Sequence, residues 1–290
     1  MSDSLPHWDM SVVYPGLDSP EFVAAFEDAI VEIDRLVAVF DEERIGAGAS
    51  GEVDDDTVRV FEKVIAQLNT TFRKESGVVA YIHGFIATDS TNELAQAKGS
   101  ELSQHWVKVR MLDARLTAWM GSLDVDALLP QSKVAQGHEF VLRRAKIEAE
   151  RLMSPDEETL AAQLSVTGST AWQKLYRNFT SQITVDLDLD GESEEHPMSG
   201  VRNFAYNPNR EVRRKAYEAE LKAWETAAVP VAAALNGVKG ETSTLAERRG
   251  WDSALGEALH GNNMDRASLD AMMTAAHEAF PEFQRYLRAK

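Results

Sequence analysis

The sequence predicts a mainly α-helical fold, a multi-helix array with one small β-hairpin near residues 183–195. Apolar residues recur at steps of three and four along most of the 290 residues, which is the spacing of one face of a helix. Residue types that cap helices precede several of these stretches. Alternation of apolar and polar residues, which is typical of a strand, marks one short segment.

The first helix is predicted to begin at Ser19-Pro20-Glu21, where a capping serine precedes a proline and an acid in the first turn. Its apolar stripe consists of Phe22, Phe26, Ile30, Ile33, Val37 and Phe40. A second helix is expected from Asp56, with the stripe Val60, Val64, Leu68 and Phe72. A third helix carries the stripe Leu94, Leu102, Trp106, Val109, Leu116 and Trp119.

A fourth helix is predicted over Ser132 to Leu152. A fifth begins at Ser154, where Glu157 three residues later completes a capping box. The stretch "ITVDLDLDG" then changes the period to two, and its apolar positions are Ile183, Val185, Leu187 and Leu189. The Asp190-Gly191 pair that follows predicts the turn of a hairpin.

A very long helix is expected after Asn207-Pro208, reaching Arg249 with a kink at Pro230. Its predicted buried side consists of Tyr217, Leu221, Trp224, Val231, Leu235 and Val238. A last helix is expected from about Asp265 to the end of the chain.

The charge and composition exclude several classes of function. The formal net charge is −17, and residues 1–60 carry 15 acidic residues against 3 basic ones. We expect no nucleic-acid partner, because phosphate contacts need clustered lysines and arginines. The chain has no cysteine and therefore no disulfide, thiolate metal site or cysteine nucleophile. No apolar run is long enough for a bilayer, so we expect no membrane partner and a cytoplasmic location.

The segment "QGHEFVLRRAK" (136–146) opens with His138-Glu139, the first two residues of a zinc-protease motif. That motif needs a second histidine four residues after the first, so that both imidazoles face one metal. Leu142 occupies that position, and the similar His277-Glu278 pair is followed by Pro281. We therefore assign no metal-binding and no catalytic residue, and interpret His138 as a structural or surface histidine on an amphipathic helix.

The stretch "GAGASG" places Gly46, Gly48 and Gly51 in the dinucleotide-binding pattern. A pyrophosphate site needs a strand before such a loop and the N-terminus of a helix after it. A helix is predicted before this stretch, and several acids follow it. We interpret it as a loop between helices.

The stretch "DLDLDGESEEHP" places Asp186, Asp188, Asp190 and Gly191 at the spacing of a calcium-binding loop. Pro197 stands where the closing bidentate glutamate is required. The alternating flanks favour a hairpin with an acidic outer face, although weak adventitious calcium binding stays open as an alternative.

Two histidines lie about one helical turn after a glutamate, in the pairs Glu101/His105 and Glu257/His260. Di-metal sites in helical bundles need two Glu-x-x-His motifs and two further glutamates, and only one such motif occurs here. We interpret both pairs as local side-chain hydrogen bonds. A nucleophile assembled from distant residues stays open, but no Gly-x-Ser-x-Gly elbow is present.

Several longer segments resemble the N-terminal half of oligoendopeptidase F, a zinc metallopeptidase of the thimet-oligopeptidase-like family. They are "HWDMSVVYPGLDSPEF" (7–22), "LSVTGSTAWQKLYRNFTSQITV" (164–185), "NPNREVRRKAYEAELKAWE" (207–225) and "LNGVKGETSTLAERRGWDSALGEALHGNNMDRASLDAMM" (235–273). The resemblance extends over most of the chain. It implies a bowl-like helical peptidase that cleaves short peptides inside a deep channel.

The same resemblance implies zinc in the complete enzyme, held by a His-Glu-x-x-His helix in a C-terminal half that this sequence does not contain. The implied division is an N-terminal helical region, 1–163, and a hairpin with long helices, 164–290, leading toward the absent catalytic domain. The chain would bind no cofactor itself and would be inactive alone. Its substrate-binding residues and oligomeric state are left unknown.

The expected function is therefore one wall of the substrate channel of such a peptidase, with short peptides as partners of the complete protein. The alternatives are a non-catalytic helical interaction module or truncated remnant of that family and, more remotely, an unrelated helical enzyme. If the chain is a fragment, apolar residues that face the missing half are expected to be exposed.

Overall fold

The computed structural model describes residues 9–46, 53–189 and 191–290. The helices in these ranges are α1 (Pro20–Glu42), α2 (Asp55–Thr88), α3 (Glu93–Ser122), α4 (Val125–Leu128), α5 (Lys133–Gly137), α6 (Glu139–Ala149), α7 (Pro155–Leu164), α8 (Ser169–Ser181), α9 (Met198–Asn203), α10 (Arg210–Arg248), α11 (Ala254–Gly261) and α12 (Arg266–Ala289). Strands β1 (Thr184–Leu189) and β2 (Glu192–Pro197) form one antiparallel hairpin. The mainly helical fold class with one hairpin is confirmed.

The chain forms two compact units, Met1–Val238 and Lys239–Lys290. The larger unit contains α1 to α9, the hairpin and most of α10. The smaller unit contains α11 and α12, and no residue of either helix is buried. The functional division between residues 163 and 164 stays a prediction.

The predicted helix starts are confirmed by their caps. The Ser19 side chain accepts a hydrogen bond from the Phe22 N–H at 3.2 Å. Helix α2 begins one residue earlier than expected, because Asp54 is its cap. At α7, Ser154 and Glu157 form the predicted reciprocal capping box.

The core of the larger unit lies where α1, α2, α3 and α6 pack together. Its largest fully buried side chains in these helices are Phe22, Ile33, Leu36, Phe40, Phe61, Val64, Val78, Tyr81 and Leu142. Four residues of the predicted α1 stripe are buried, whereas Ile30 and Val37 are half-buried. The apolar stripes therefore locate the core correctly along α1 and the first half of α2.

Helices α3 and α6 come close together at Gly121. A Cβ atom on Gly121 would lie 2.9 Å from the backbone oxygen of Ala145 and would clash with the Cβ of Ala149. The absence of a side chain at this position therefore sets the distance between the two helices.

A buried carboxylate joins α1 to α2. Glu32 is 2% exposed, and its carboxylate accepts hydrogen bonds from Arg35 (2.7 Å), Gln67 (2.8 Å) and Lys74 (2.8 Å). The hydrogen bond from Lys74 is the largest influence that lowers the pKa of Glu32. At the end of α1, hydrogen bonds from Arg59 and Lys63 lower the pKa of Glu43 to about 2.

Two predictions about helices are wrong. The single helix expected over Ser132 to Leu152 is divided into α5 and α6, because His138 has a non-helical ψ of 13°. The side of α10 expected to be buried is largely exposed at Tyr217, Leu221 and Leu235. Small residues are buried in their place, namely Ala216, Ala227 and Ala234.

The hairpin is confirmed, and it packs against α9 and α10. Val185 and Leu187 are buried together with Met198, Val201 and Ala216. On the opposite face Asp186 stands directly across from Glu195. The alternating pattern therefore separates an apolar inner face from an acidic outer face, as the sequence predicts.

Candidate functional site

The histidine of the zinc-like segment does not face a second metal ligand. His138 lies at the junction of α5 and α6, where its Nδ1 atom is 2.7 Å from the backbone oxygen of Val134. Leu142, one turn further on, is fully buried in the core. The ring of His138 is thus held against the end of α5, at the break between α5 and α6, rather than on the face of one continuous helix as expected.

The described residues contain no group of three or more His, Asp or Glu side chains that could hold a metal ion. His277 lies on α12 with its ring 5.3 Å from that of Phe280. The donor set in the described ranges therefore does not fit a peptidase zinc ion, and we assign no chemical step to a metal in this chain.

The hydrogen bond expected between Glu101 and His105 is absent, so that interpretation is wrong. Glu101 instead pairs with Lys98 at 3.0 Å. The Nδ1 atom of His105 is buried without a hydrogen-bond partner. In the smaller unit, the ring of His260 lies 5.1 Å from that of Trp251.

The dinucleotide-like stretch (46–51) and the calcium-loop-like stretch (186–197) fall partly outside the described residues. Gly48, Gly51 and Asp190 are not among them, whereas Gly46 has open space around its Cα. Asp188 accepts a hydrogen bond from the Gly191 N–H at 3.1 Å, inside the hairpin turn. Strands flank this turn, while a calcium-binding loop of this type lies between helices.

Helix α8 attaches to α3 and the segment before it through polar side chains. Lys174 donates to the Ser100 hydroxyl at 2.8 Å, and Ser181 lies 2.8 Å from Ser90. Between them, Gln96 donates to the Asn178 side chain at 3.3 Å. Positions 174, 178 and 181 lie on one side of a helix, so the inward side of α8 is polar.

The opposite side of α8 carries large apolar side chains that are not buried. Leu175, Tyr176 and Phe179 are 42%, 46% and 37% exposed. We call them the α8 stripe. Trp172 precedes them on the same side and packs against α10, where a Cβ on Gly237 would lie 2.7 Å from its Cε2 atom. Beyond Trp172, helix α8 therefore leaves its apolar side partly exposed, whereas an ordinary surface helix buries such a side.

A cavity of about 470 Å³ lies between α1, α3 and the connection from α6 to α7. Its walls are mostly apolar and include Met111, Ala118 and Met153. Glu158, which is 6% exposed, also lines it. Sequence reasoning missed this cavity because its walls come from residues between positions 37 and 159, with no local motif.

A second cavity, of about 240 Å³, lies between α2, α3 and α6. His138, Asp113 and Glu148 contribute to its lining together with core side chains. Glu148 forms an ion pair with Arg144 at 3.1 Å. We assign these residues no catalytic role.

Comparisons with known proteins point to one family. The family model described as oligopeptidase F matches residues 123–184, which extend from the end of α3 to the start of β1. The curated oligopeptidase PepF of Bacillus subtilis (strain 168) is 23% identical over 249 residues. The crystal structure of oligoendopeptidase-F from Enterococcus faecium has the same fold, with a TM-score of 0.73 at 16% identity.

The chain spans only part of these relatives. The alignment with the Bacillus protein covers 82% of this chain and 36% of that protein. The match to the Enterococcus structure covers 90% of this chain and 51% of that one. The resemblance to oligoendopeptidase F is confirmed over the part of these relatives that the chain matches. In the described residues no helix is both long and apolar enough to cross a membrane.

Proposed function

We propose that this chain is the N-terminal portion of an oligoendopeptidase F-like zinc metalloendopeptidase that hydrolyses short peptides in the cytoplasm. Its role is to build one wall of the substrate channel. The α8 stripe is the observation that carries this proposal, because it lies within the segment that the family model matches. A group of exposed apolar side chains on a protein surface marks a binding site more often than a polar part of the surface does.

This wall selects which substrates enter the channel and takes no part in the chemical step. Leu175, Tyr176 and Phe179 offer apolar contacts to the side chains of an extended peptide, and the rigid helices behind them exclude folded substrates. Zinc, when bound in the complete enzyme, would activate the attacking water. Residues outside this chain would hold that zinc.

The exposed apolar residues of α12 also support the proposal that this chain is part of a larger protein. Phe280, Phe283, Tyr286 and Leu287 are exposed, and they recur at helical spacing. A soluble domain rarely leaves such a side of a helix uncovered.

The 290-residue chain, purified alone, is expected to bind no stoichiometric zinc and to cleave no quenched fluorescent peptide. The physical reason is that no described group of three metal-binding side chains is present. Metal analysis and a cleavage assay with and without a chelator measure this. Chelator-sensitive cleavage by this chain would contradict the proposal that the catalytic residues lie outside it.

The coding sequence downstream of Lys290 is expected to encode a His-Glu-x-x-His motif in frame. If a stop codon follows and no such motif is present, the chain is instead a non-catalytic helical module that retains the family fold.

In the longer peptidase, Tyr176→Glu is expected to raise KM for apolar peptides about tenfold, with kcat little changed. Losing an apolar contact and placing a charge beside the peptide weaken uniform binding by about 1–2 kcal/mol. The matched control is Tyr206→Glu, since Tyr206 is 90% exposed and lies outside the α8 stripe. If Tyr176→Glu and Tyr206→Glu change KM equally, or if neither changes it, the proposal that α8 forms part of the channel wall is refuted.

A further inference from the structure

Helix α8 carries positive charge and no acid. Its sequence, "STAWQKLYRNFTS", contains Lys174 and Arg177 but neither aspartate nor glutamate. The whole chain has 47 acidic residues against 30 basic ones. Helix α8 is therefore opposite in charge to the protein as a whole, and such a region can attract negatively charged ligands locally.

Three cations lie along one side of α8. Arg110 of α3 donates to the hydroxyl oxygens of Ser165 (2.7 Å) and Thr170 (3.3 Å). Lys174 donates to a serine hydroxyl of α3 at 2.8 Å. Arg177 is exposed, and its guanidinium group has no partner among the described residues. Positions 170, 174 and 177 share one side of a helix, about 6 Å and 5 Å apart along its axis. We call Arg110, Lys174 and Arg177 the cation row.

Carboxylates do not neutralise the cation row. The three other cations of α3 each form an ion pair with an acid, namely Lys98, Lys108 and Arg115. The partners of Arg110 and Lys174 are neutral hydroxyl groups instead. Within the described ranges, no carboxylate forms an ion pair with any member of the row. A carboxylate of a ligand can therefore pair with these cations without first breaking an ion pair.

The cation row lies beside the α8 stripe. Arg177 follows Tyr176 directly, so the two side chains are about 100° apart around the helix. Leu175 and Phe179 share the side of Tyr176, and all three are partly exposed. An extended peptide that crosses α8 would therefore place apolar side chains on the stripe and the next side chains along it on the cation row.

We propose that the cation row makes α8 select peptides in which acidic residues flank apolar ones. The apolar side chains contact the α8 stripe, and a neighbouring carboxylate accepts hydrogen bonds from Arg177 and Lys174. The inference rests on the proposed function, since it assigns a charge preference to the same channel wall. Electrostatic complementarity of this kind contributes more to specificity than to affinity.

Direct binding to the full 290-residue chain tests the proposal without peptidase activity. The probe is coumarin-Glu-Ala-Leu-Phe-Leu-Ala-Glu-amide, whose ends are uncharged, and it is compared with peptides that carry glutamine or lysine in place of both glutamates. Fluorescence anisotropy in about 0.1 M salt is expected to show the glutamate peptide binding about fivefold more tightly than the glutamine peptide, because exposed ion pairs each contribute modestly. In about 1 M salt the two affinities should converge, because the charges are screened.

The sign of the preference separates the cation row from the field of the whole protein. With a net charge of −17, that field favours the lysine peptide. The cation row instead predicts that the lysine peptide binds most weakly of the three. Equal binding of the glutamate and glutamine peptides, tightest binding of the lysine peptide, or an advantage that salt leaves unchanged would overturn the proposal.

Variants of Arg177 assign the preference to the row. Arg177→Gln is expected to reduce the advantage of the glutamate peptide from about fivefold to about twofold. Arg177→Glu is expected to reverse the order, so that the lysine peptide binds more tightly than the glutamate peptide. A merely structural role of Arg177 would not produce this reversal.

Arg73→Gln is the matched control for the loss of one positive charge. Arg73 is an exposed arginine of α2 that has no ion-pair partner among the described residues. The variant should leave the advantage of the glutamate peptide intact. If Arg73→Gln and Arg177→Gln lower it equally, net charge alone is responsible and the cation row is refuted.

Tyr176→Ala distinguishes a failure of this inference from a failure of the channel wall. It is expected to weaken the glutamate and glutamine peptides by the same factor, because it removes an apolar contact that both peptides make. If it does so while the unaltered chain binds both peptides equally, the wall stands and the cation row is refuted. If the unaltered chain binds neither peptide, both proposals are refuted.

Discussion

Gly121→Val is expected to lower the free energy of unfolding by about 3 kcal/mol. A Cβ at this position meets the backbone oxygen of Ala145 at 2.9 Å and the side chain of Ala149, so α3 and α6 must move apart. Backbone cannot rotate away as a flexible side chain does. The displacement would loosen the packing around Leu142, which is fully buried on α6.

Gly77→Ala is the matched control, and it is expected to have the opposite sign. Gly77 lies inside α2 with open space where a Cβ would be added. Alanine favours a helix over glycine by about 1 kcal/mol, so this change stabilises. Urea unfolding of Gly121→Ala, Gly121→Val and Gly77→Ala measures the effects. A Gly121→Ala variant as stable as Gly77→Ala would show that α3 and α6 are not in close contact there.

Glu32→Ala is expected to lower the free energy of unfolding by about 2–3 kcal/mol. The buried carboxylate accepts three hydrogen bonds, and its loss leaves Gln67 without its partner on α1 and removes one of the two α1 carboxylates that Lys74 contacts. The lower end of the range reflects the partial solvent exposure of Lys74 and Arg35. Asp28→Ala removes the exposed partner of Lys74 and is expected to have an effect below about 1 kcal/mol.

The contribution of Glu32 is also expected to depend on pH. Its pKa in the folded protein is lowered from 4.5, chiefly by the hydrogen bond from Lys74. The stabilisation is therefore present above pH 4.5 and is lost as the pH falls through the lowered pKa. Urea midpoints of the wild type and Glu32→Gln should differ most at pH 7 and converge in acid. A gap that stays constant down to pH 3 would contradict this linkage.

Local signals made most of the fold predictable. Ser19 and Ser154 fix helix starts because a cap acts within a single turn, and the alternation at Val185 and Leu187 separates the two faces of the hairpin. The division at His138 was not predictable, since the residues around it favour helix and Gly137 alone weakens it.

The prediction of the buried side of α10 was wrong because it relied on side-chain size. The prediction chose Tyr217, Leu221 and Leu235 because large apolar residues usually seek the core. A close neighbour, such as Trp172 at Gly237, requires small residues instead. The cavity had no signal at all, because Met111 and Glu158 come together only after folding.

The polar attachment of α8 has a consequence for how the protein opens. Its inward contacts, such as Lys174 with Ser100, are hydrogen bonds that water can replace. Detaching α8 from α3 would expose little new carbon surface, so the free energy of that opening depends only weakly on denaturant. We therefore expect α8 to separate from α3 more readily than the α1–α2–α3 core unfolds, which amide hydrogen exchange would measure.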